Sequence, residues 1–288
     1  MTEPQTRTIE VPGATITYDV RPAEGSTEPP LMMIGSPMDA TGFGTLAGHF
    51  PDRTVVTYDP RGAGRSVRAE GAGESTPDLH ASDLHRVIDE LGLGPVDLLA
   101  SSGGAVNALA LVAKHPGDVR TLVAHEPPAA QELPDREQAL ALIQDMRQTY
   151  DKDGFAPAMA QFMAITSIRG PLPGDLSGVQ LPDVAQMGFP TEDDGTRDDV
   201  LFAQNLITCT HYHHDFDALR AASTRIVVAV GEESEGEMAH RGGLAVAERL
   251  GSTPVTFPSH HGGFAGGEFG MPGKPEEFAA TLRRVLSQ

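Results

Sequence analysis

Four short apolar runs in the first half of the chain alternate with stretches of helical periodicity. The runs are Leu31 to Ile34, Thr54 to Tyr58, Val96 to Ala100 and Val119 to Ala124. Among them lie Leu79 to Leu91, with Leu84, Val87, Ile88 and Leu91 at helical spacing, and the Ala- and Leu-rich Gly103 to Lys114. An unbroken apolar run suits a strand buried on both faces, and intervening helices supply the crossovers of a parallel sheet. The pattern predicts an α/β fold: a mostly parallel, twisted sheet covered by helices on both faces. Thr6 to Val11 and Ala14 to Val20, flanking Pro12-Gly13, read as a β-hairpin.

The rhythm stops near Pro127-Pro128. Residues 129–220 lack clear buried strands; they hold a helical stretch from Arg136 to Tyr150 and a loop-rich section with Pro171, Pro173, Pro182 and Pro190. It returns with the strand Arg225 to Val230, a helix from about Met238 to Leu250, the strand Pro254 to Phe257 and a helix from about Pro275 to Val285. Because the sheet pattern resumes, the middle is expected to be a helical cap inserted into one core. The core is residues 1–128 and 221–288, and the cap is 129–220. Apolar cap residues such as Met146, Phe155, Met159, Phe162, Met163 and Phe202 suit an adaptable pocket.

Charge narrows the function classes. Lys and Arg total 21 against 40 Asp and Glu, a net charge of −19, with lysine only at 114, 152 and 274. A chain this acidic lacks the basic face that nucleic acid or an anionic membrane surface requires. The lone Cys209 excludes an internal disulfide. The start Met1-Thr2-Glu3-Pro4-Gln5 has neither a basic nor an apolar segment, which predicts no signal peptide and a cytoplasmic protein.

The chemistry concentrates at Leu98-Leu99-Ala100-Ser101-Ser102-Gly103-Gly104-Ala105, between a strand and a helix. It matches small-x-Ser-x-Gly, a turn that lifts a nucleophilic serine above the sheet at a helix N-terminus. Residues two positions either side of the serine crowd together and must be small. Ser102 meets that condition; for Ser101 the bulky Leu99 would stand in the crowded place. No Gly-Lys-Ser/Thr follows, so a phosphate-binding loop is disfavoured.

In this stretch the chain resembles an α/β-hydrolase, and the resemblance extends over essentially its whole length. Ile34-Gly35-Ser36-Pro37 resembles the His-Gly-x-Pro loop of that family, with Ile34 in place of a mostly structural histidine. Tyr58 to Ser66 resembles its D-x-R-G-x-G-x-S stretch, whose glycines suit a structural loop. Phe257 to Phe264 resembles its late histidine loop. The resemblance implies the α/β-hydrolase fold and an oxyanion hole made by the backbone N–H groups of Ser36 and Gly103. Gly35, Met38 and His260 are expected at the substrate.

The family's order of serine, acid and histidine implies a late histidine as general base. His261, followed by Gly262-Gly263-Phe264, fits better than His260. The acid departs from the usual plan. Its usual position, after the strand that follows the cap, reads Ser234, with Glu233 beside it. The alternative is Glu126, at the end of the strand after the nucleophile helix, where the ligand edge of an open α/β sheet lies. A His-Glu-Leu-Pro segment in the lactonases that open zearalenone resembles this arrangement. Glu126 is preferred and Glu233 stays open. His211, His213 and His214 lack an accompanying carboxylate at metalloenzyme spacing, and no metal or cofactor is expected.

These residues predict a Ser102–His261–Glu126 hydrolase acting on a small carboxylic ester or lactone through an acyl-enzyme. A serine nucleophile disfavours epoxide or haloalkane hydrolysis, which in this fold generally uses Asp. Three alternatives stand. One is a proline-iminopeptidase-like enzyme with Glu192, Asp193 and Asp194 on a substrate amine. The others are a perhydrolase or cofactor-free haloperoxidase-like enzyme, and a non-catalytic ligand-binding protein.

Overall fold

Successive residues of a strand face opposite sides of its sheet. In the computed structural model, which describes residues 3–270 and 272–288, each side has its own core. Met32, Ile34, Val56, Leu98, Ala100, Leu122 and Ala124 join one apolar cluster; Leu31, Met33, Val55, Leu99 and Val123 join the other. Both faces are covered, so most positions in these runs are apolar; the buried Asp97 instead pairs with Arg53 and Arg120.

The strands are β1 (Gln5–Val11), β2 (Ala14–Arg21), β3 (Leu31–Ile34), β4 (Val55–Tyr58), β5 (Val67–Arg68), β6 (Val96–Ser101), β7 (Val119–His125), β8 (Arg225–Gly231) and β9 (Val255–Phe257). Their order is β1-β2-β4-β3-β6-β7-β8-β9, with β5 paired to β2. From β4 to β9 neighbouring strands are parallel; β1 and β2 form the antiparallel edge.

The helices are α1 (Gly44–Gly48), α2 (Pro77–Leu91), α3 (Gly103–Lys114), α4 (Arg136–Asp153), α5 (Phe155–Ser167), α6 (Leu206–Thr210), α7 (Phe216–Ala221), α8 (Met238–Leu250) and α9 (Pro275–Leu286). Helix α2 begins where Thr76 accepts from the Leu79 N–H and Pro77 presets the first turn, and it stops at the left-handed Gly92. Helices α2, α3, α7 and α8 cover one face, and α1 and α9 the other. In α9, buried Phe278, Leu282 and Val285 each contribute about 1.5–3 kcal/mol.

Between β7 and β8 a third cluster forms from α4, α5 and α6, including Leu142, Met146, Tyr150, Met159, Phe202 and Leu206. Met238 of α8 belongs to it, and Arg241 of α8 pairs with Asp135 at the start of α4. Of the large apolar residues in this segment, Leu181 and Met187 stay exposed. Phe216 and Leu219 of α7 lie within 129–220, yet they pack with the sheet-side cluster rather than with the α4–α6 cluster. Among the described residues no helix is long and apolar enough to cross a membrane.

Candidate active site

The ends of β6, β7 and β8 lie side by side. Ser101 pairs with His125, and His125 with Ala229. The residues that follow are therefore neighbours at one sheet edge: the Ser102 N–H donates to the His125 carbonyl (3.0 Å) and the Glu126 N–H to the Ala229 carbonyl (2.9 Å). Among the described residues, the non-glycine residues with positive φ are Ser102 (57°), Glu126 (48°) and Ser259 (70°). All three sit where β6 or β7 ends or in the loop after β9. Such a conformation costs about 1–3 kcal/mol and persists where the surroundings enforce it, often at functional sites.

Ser102 caps the N-terminus of α3. The next two residues must be glycine. A Cβ at Gly103 would lie 2.6 Å from the Ser36 carbonyl oxygen, and one at Gly104 would lie 2.9 Å from the Gly35 backbone and the Ile34 carbonyl oxygen. Their bareness lets the loop after β3 seat against the helix N-terminus. Ser36, buried, precedes Pro37 across a cis peptide bond. Met38 folds back over Gly35 and Gly42.

The Glu126 side chain is buried. His261 Nδ1 lies 2.6 Å from its Oε2. Oε1 accepts from the Gly231 N–H at 2.8 Å and from the Ser234 hydroxyl. A carboxylate only accepts, so His261 carries its proton on Nδ1 and leaves Nε2 as the free base in the neutral ring. Burial alone would raise the Glu126 pKa; the His261 hydrogen bond, the neighbouring histidine rings and the Ser234 hydroxyl outweigh it and hold the carboxyl far below the usual range. For His261, burial opposes the charged ring, but the hydrogen bond and charge of Glu126 prevail and raise its pKa. A strong base thus sits on a fixed counter-ion.

Glu233 is not brought to His261. It pairs with Lys274 at 2.6 Å with its side chain 44 % exposed. His260 turns into its own loop: Nε2 lies 3.2 Å from the Pro272 carbonyl oxygen, and Nδ1 accepts from the Gly262 N–H at 3.0 Å. Ser234, the usual place of the acid, supports Glu126 through its hydroxyl. The sequence drew attention to that position, but not to this contact. His125 lies beneath the pair, with its Nδ1 3.1 Å from Ser101 Oγ and burial pulling its pKa down to about 4.

The Tyr58–Ser66 loop is tied down structurally. Arg61 forks onto Asp83 at 2.6 and 2.8 Å, and Asp59 accepts from the Ala40 and Arg65 N–H groups. His214 is buried against Tyr212 and Phe216. Among the described residues, the group with metal-ligand proximity is His85, His115 and Asp118. Its two rings stack at 3.9 Å and 7°. An ion must lie near the plane of each imidazole it binds, and two parallel planes offer no shared point.

Residues 42–209 match the family described as alpha/beta hydrolase fold. The chain is 30 % identical over 264 residues, 89 % of each chain, to the uncharacterized hydrolase YraK of Bacillus subtilis (strain 168). A thermophilic esterase of Thermogutta terrifontis superposes with a TM-score of 0.67 at 20 % identity, covering 98 % of each chain. Est816, described as an N-acyl homoserine lactone degrading enzyme, superposes at 0.66 with 18 % identity, covering 96 % of this chain and 99 % of its own. The chain belongs to the α/β hydrolase fold family and is a hydrolase of that fold.

Proposed function

We propose that the protein cleaves a small carboxylic ester or lactone by a Ser102–His261–Glu126 triad. The observation that carries this reading is the 2.6 Å hydrogen bond between His261 and Glu126 at the same sheet edge as the strained Ser102. His261 Nε2 takes the Ser102 hydroxyl proton as Oγ attacks the carbonyl carbon. The developing oxyanion is held by the N–H groups of Gly103 and Ser36, each such donor contributing about 10²–10³ in rate. The imidazolium, stabilised by Glu126, returns the proton to the leaving alkoxide. Water, activated by the same ring, then frees the acid.

An esterase and a lactone-degrading enzyme among the similar structures support an acyl–oxygen bond as target. The peptidase reading needs free carboxylates for a substrate amine. Of the three carboxylates that reading uses, Asp193 is paired with Arg197 and Asp194 accepts from Thr196. A panel of p-nitrophenyl esters and lactones, run on the protein and on Ser102→Ala, tests the proposal. Hydrolysis that disappears in the variant is expected. Equal turnover by both, or turnover of none, contradicts it.

A further inference from the structure

We infer that Asn205 is a positioning residue that locks the Ser36 loop to the segment between β7 and β8. The inference rests on the reading of the Ser36 N–H as an oxyanion donor. Asn205 is 2 % exposed and ends a π-helical turn, Val200–Asn205, that leads into α6. A π-turn holds one more residue than an α-turn, and such insertions often occur at functional sites.

The amide's orientation follows from its contacts. Asn205 Nδ2 donates to the Val200 carbonyl at 2.7 Å. Its Oδ1 therefore faces the Ser36 hydroxyl, which donates at 3.3 Å, and His80 Nε2 at 3.0 Å. Two donors saturate the two lone pairs of that oxygen. His80 must carry its proton on Nε2 to donate. Burial in α2 keeps the ring neutral, with its pKa pushed down to about 4. One buried oxygen thus ties together three segments: the Ser36 loop, α2 and the π-turn.

The Ser36 hydroxyl and N–H share one Cα. With the hydroxyl pinned to Asn205 and the Ser36 carbonyl seated against Gly103, the peptide plane that presents the N–H has little freedom to turn. Preorganised donors act through this fixity, because they need not reorient as charge develops. The tie acts through the Ser36 N–H on the oxyanion that develops in the transition state, so its loss should appear in kcat rather than in KM.

The test is steady-state hydrolysis of p-nitrophenyl acetate by the full chain and by Asn205→Ala, Ser36→Ala and the double variant, with a thermal melt of each. Each single variant should lose about ten-fold in kcat, the size of one buried hydrogen bond, with KM little changed. The double variant should be no slower than the slower single, since both remove the same bond. His80→Gln, which retains a donor, should keep more activity than His80→Leu. Should Asn205→Ala fail to fold, Ser36→Ala decides alone, because it removes only a hydroxyl. Unchanged kcat in the single variants, losses that multiply in the double, or a lowered melting temperature with kcat intact overturn the inference. If the wild-type protein neither turns over an ester nor reacts with a fluorophosphonate, the functional reading fails and this inference falls with it.

Discussion

The Ser234 hydroxyl donates to the same Glu126 carboxylate that receives His261 Nδ1. Ser234 stands where a hydrolase of this fold usually keeps its acid. In the proposed triad the acid is Glu126, at the neighbouring strand end, and Ser234 is a donor that orients it. A carboxylate bonded by Gly231, Ser234 and His261 is held on both oxygens and cannot swing away from the ring.

The two candidate acids are separable by mutation. Glu126→Gln keeps shape but can present its amide to Nδ1, favouring the wrong tautomer. It should lower kcat by about 10³–10⁴. Glu233→Gln removes an exposed pair with Lys274 and should change kcat less than about two-fold, because exposed pairs contribute at most about 1 kcal/mol to stability and none of it at the reacting atoms. Ser234→Ala should fall between them. Steady-state kinetics of the three variants check this; a large loss in Glu233→Gln with none in Glu126→Gln would reverse the assignment.

The pH dependence has a definite sign. His261 must be neutral to act as base, and Glu126 raises its pKa. The acid limb of kcat/KM should therefore lie above the ordinary histidine value of about 6.5, with activity rising as pH increases through it. In Glu126→Gln that limb should move to lower pH. The same pair contributes to stability. The raised His261 contributes fully below about pH 6.5 and loses its contribution as pH rises through its folded value. The lowered Glu126 contributes above about pH 4.3 and loses its contribution as pH falls. The pair should stabilise most between those limits. Urea unfolding of wild type and Glu126→Gln across pH 4 to 9 checks it, and a stability difference that grows steadily above pH 7 would contradict it.

Gly103→Ala tests the close approach of the Ser36 loop to α3. The added Cβ would stand 2.6 Å from a backbone oxygen, which has no side-chain rotation to relieve it. The loop must move, carrying one oxyanion donor with it. A loss of about 10²–10³ in kcat is expected, whereas wild-type rates would show that the Ser36 N–H is not used.

Both faces of the sheet were readable because doubly buried strands are apolar at most positions, as at Val96, Leu98, Leu99 and Ala100 of Val96–Ser101; the strand order was not, because pairing between distant runs leaves no local pattern. Strand β5, two residues at an edge, carries too short a pattern to announce itself. Helix α5 was concealed by Pro157, which sits harmlessly in its first turn. Helix α7 reads as part of the insertion by position, yet its Phe216 and Leu219 find the sheet-side core. In the site, Ser102, Glu126 and His261 stood out because strand ends and glycines mark them. The supports did not: Ser234 meets Glu126 across 108 positions and Asn205 meets Ser36 across 169. Local pattern carries no trace of such long-range contacts, and serine and asparagine are ordinary residues wherever they stand.

The proposed reaction depends on Ser102 being a nucleophile activated by His261. It is tested most directly by treating the protein with a fluorophosphonate and mapping the adduct by peptide mass spectrometry. One adduct per chain on Ser102, absent in Ser102→Ala and slowed in His261→Ala, is the expected result. No adduct, or an adduct on Ser101 or Ser259 with Ser102 unmodified, would contradict it.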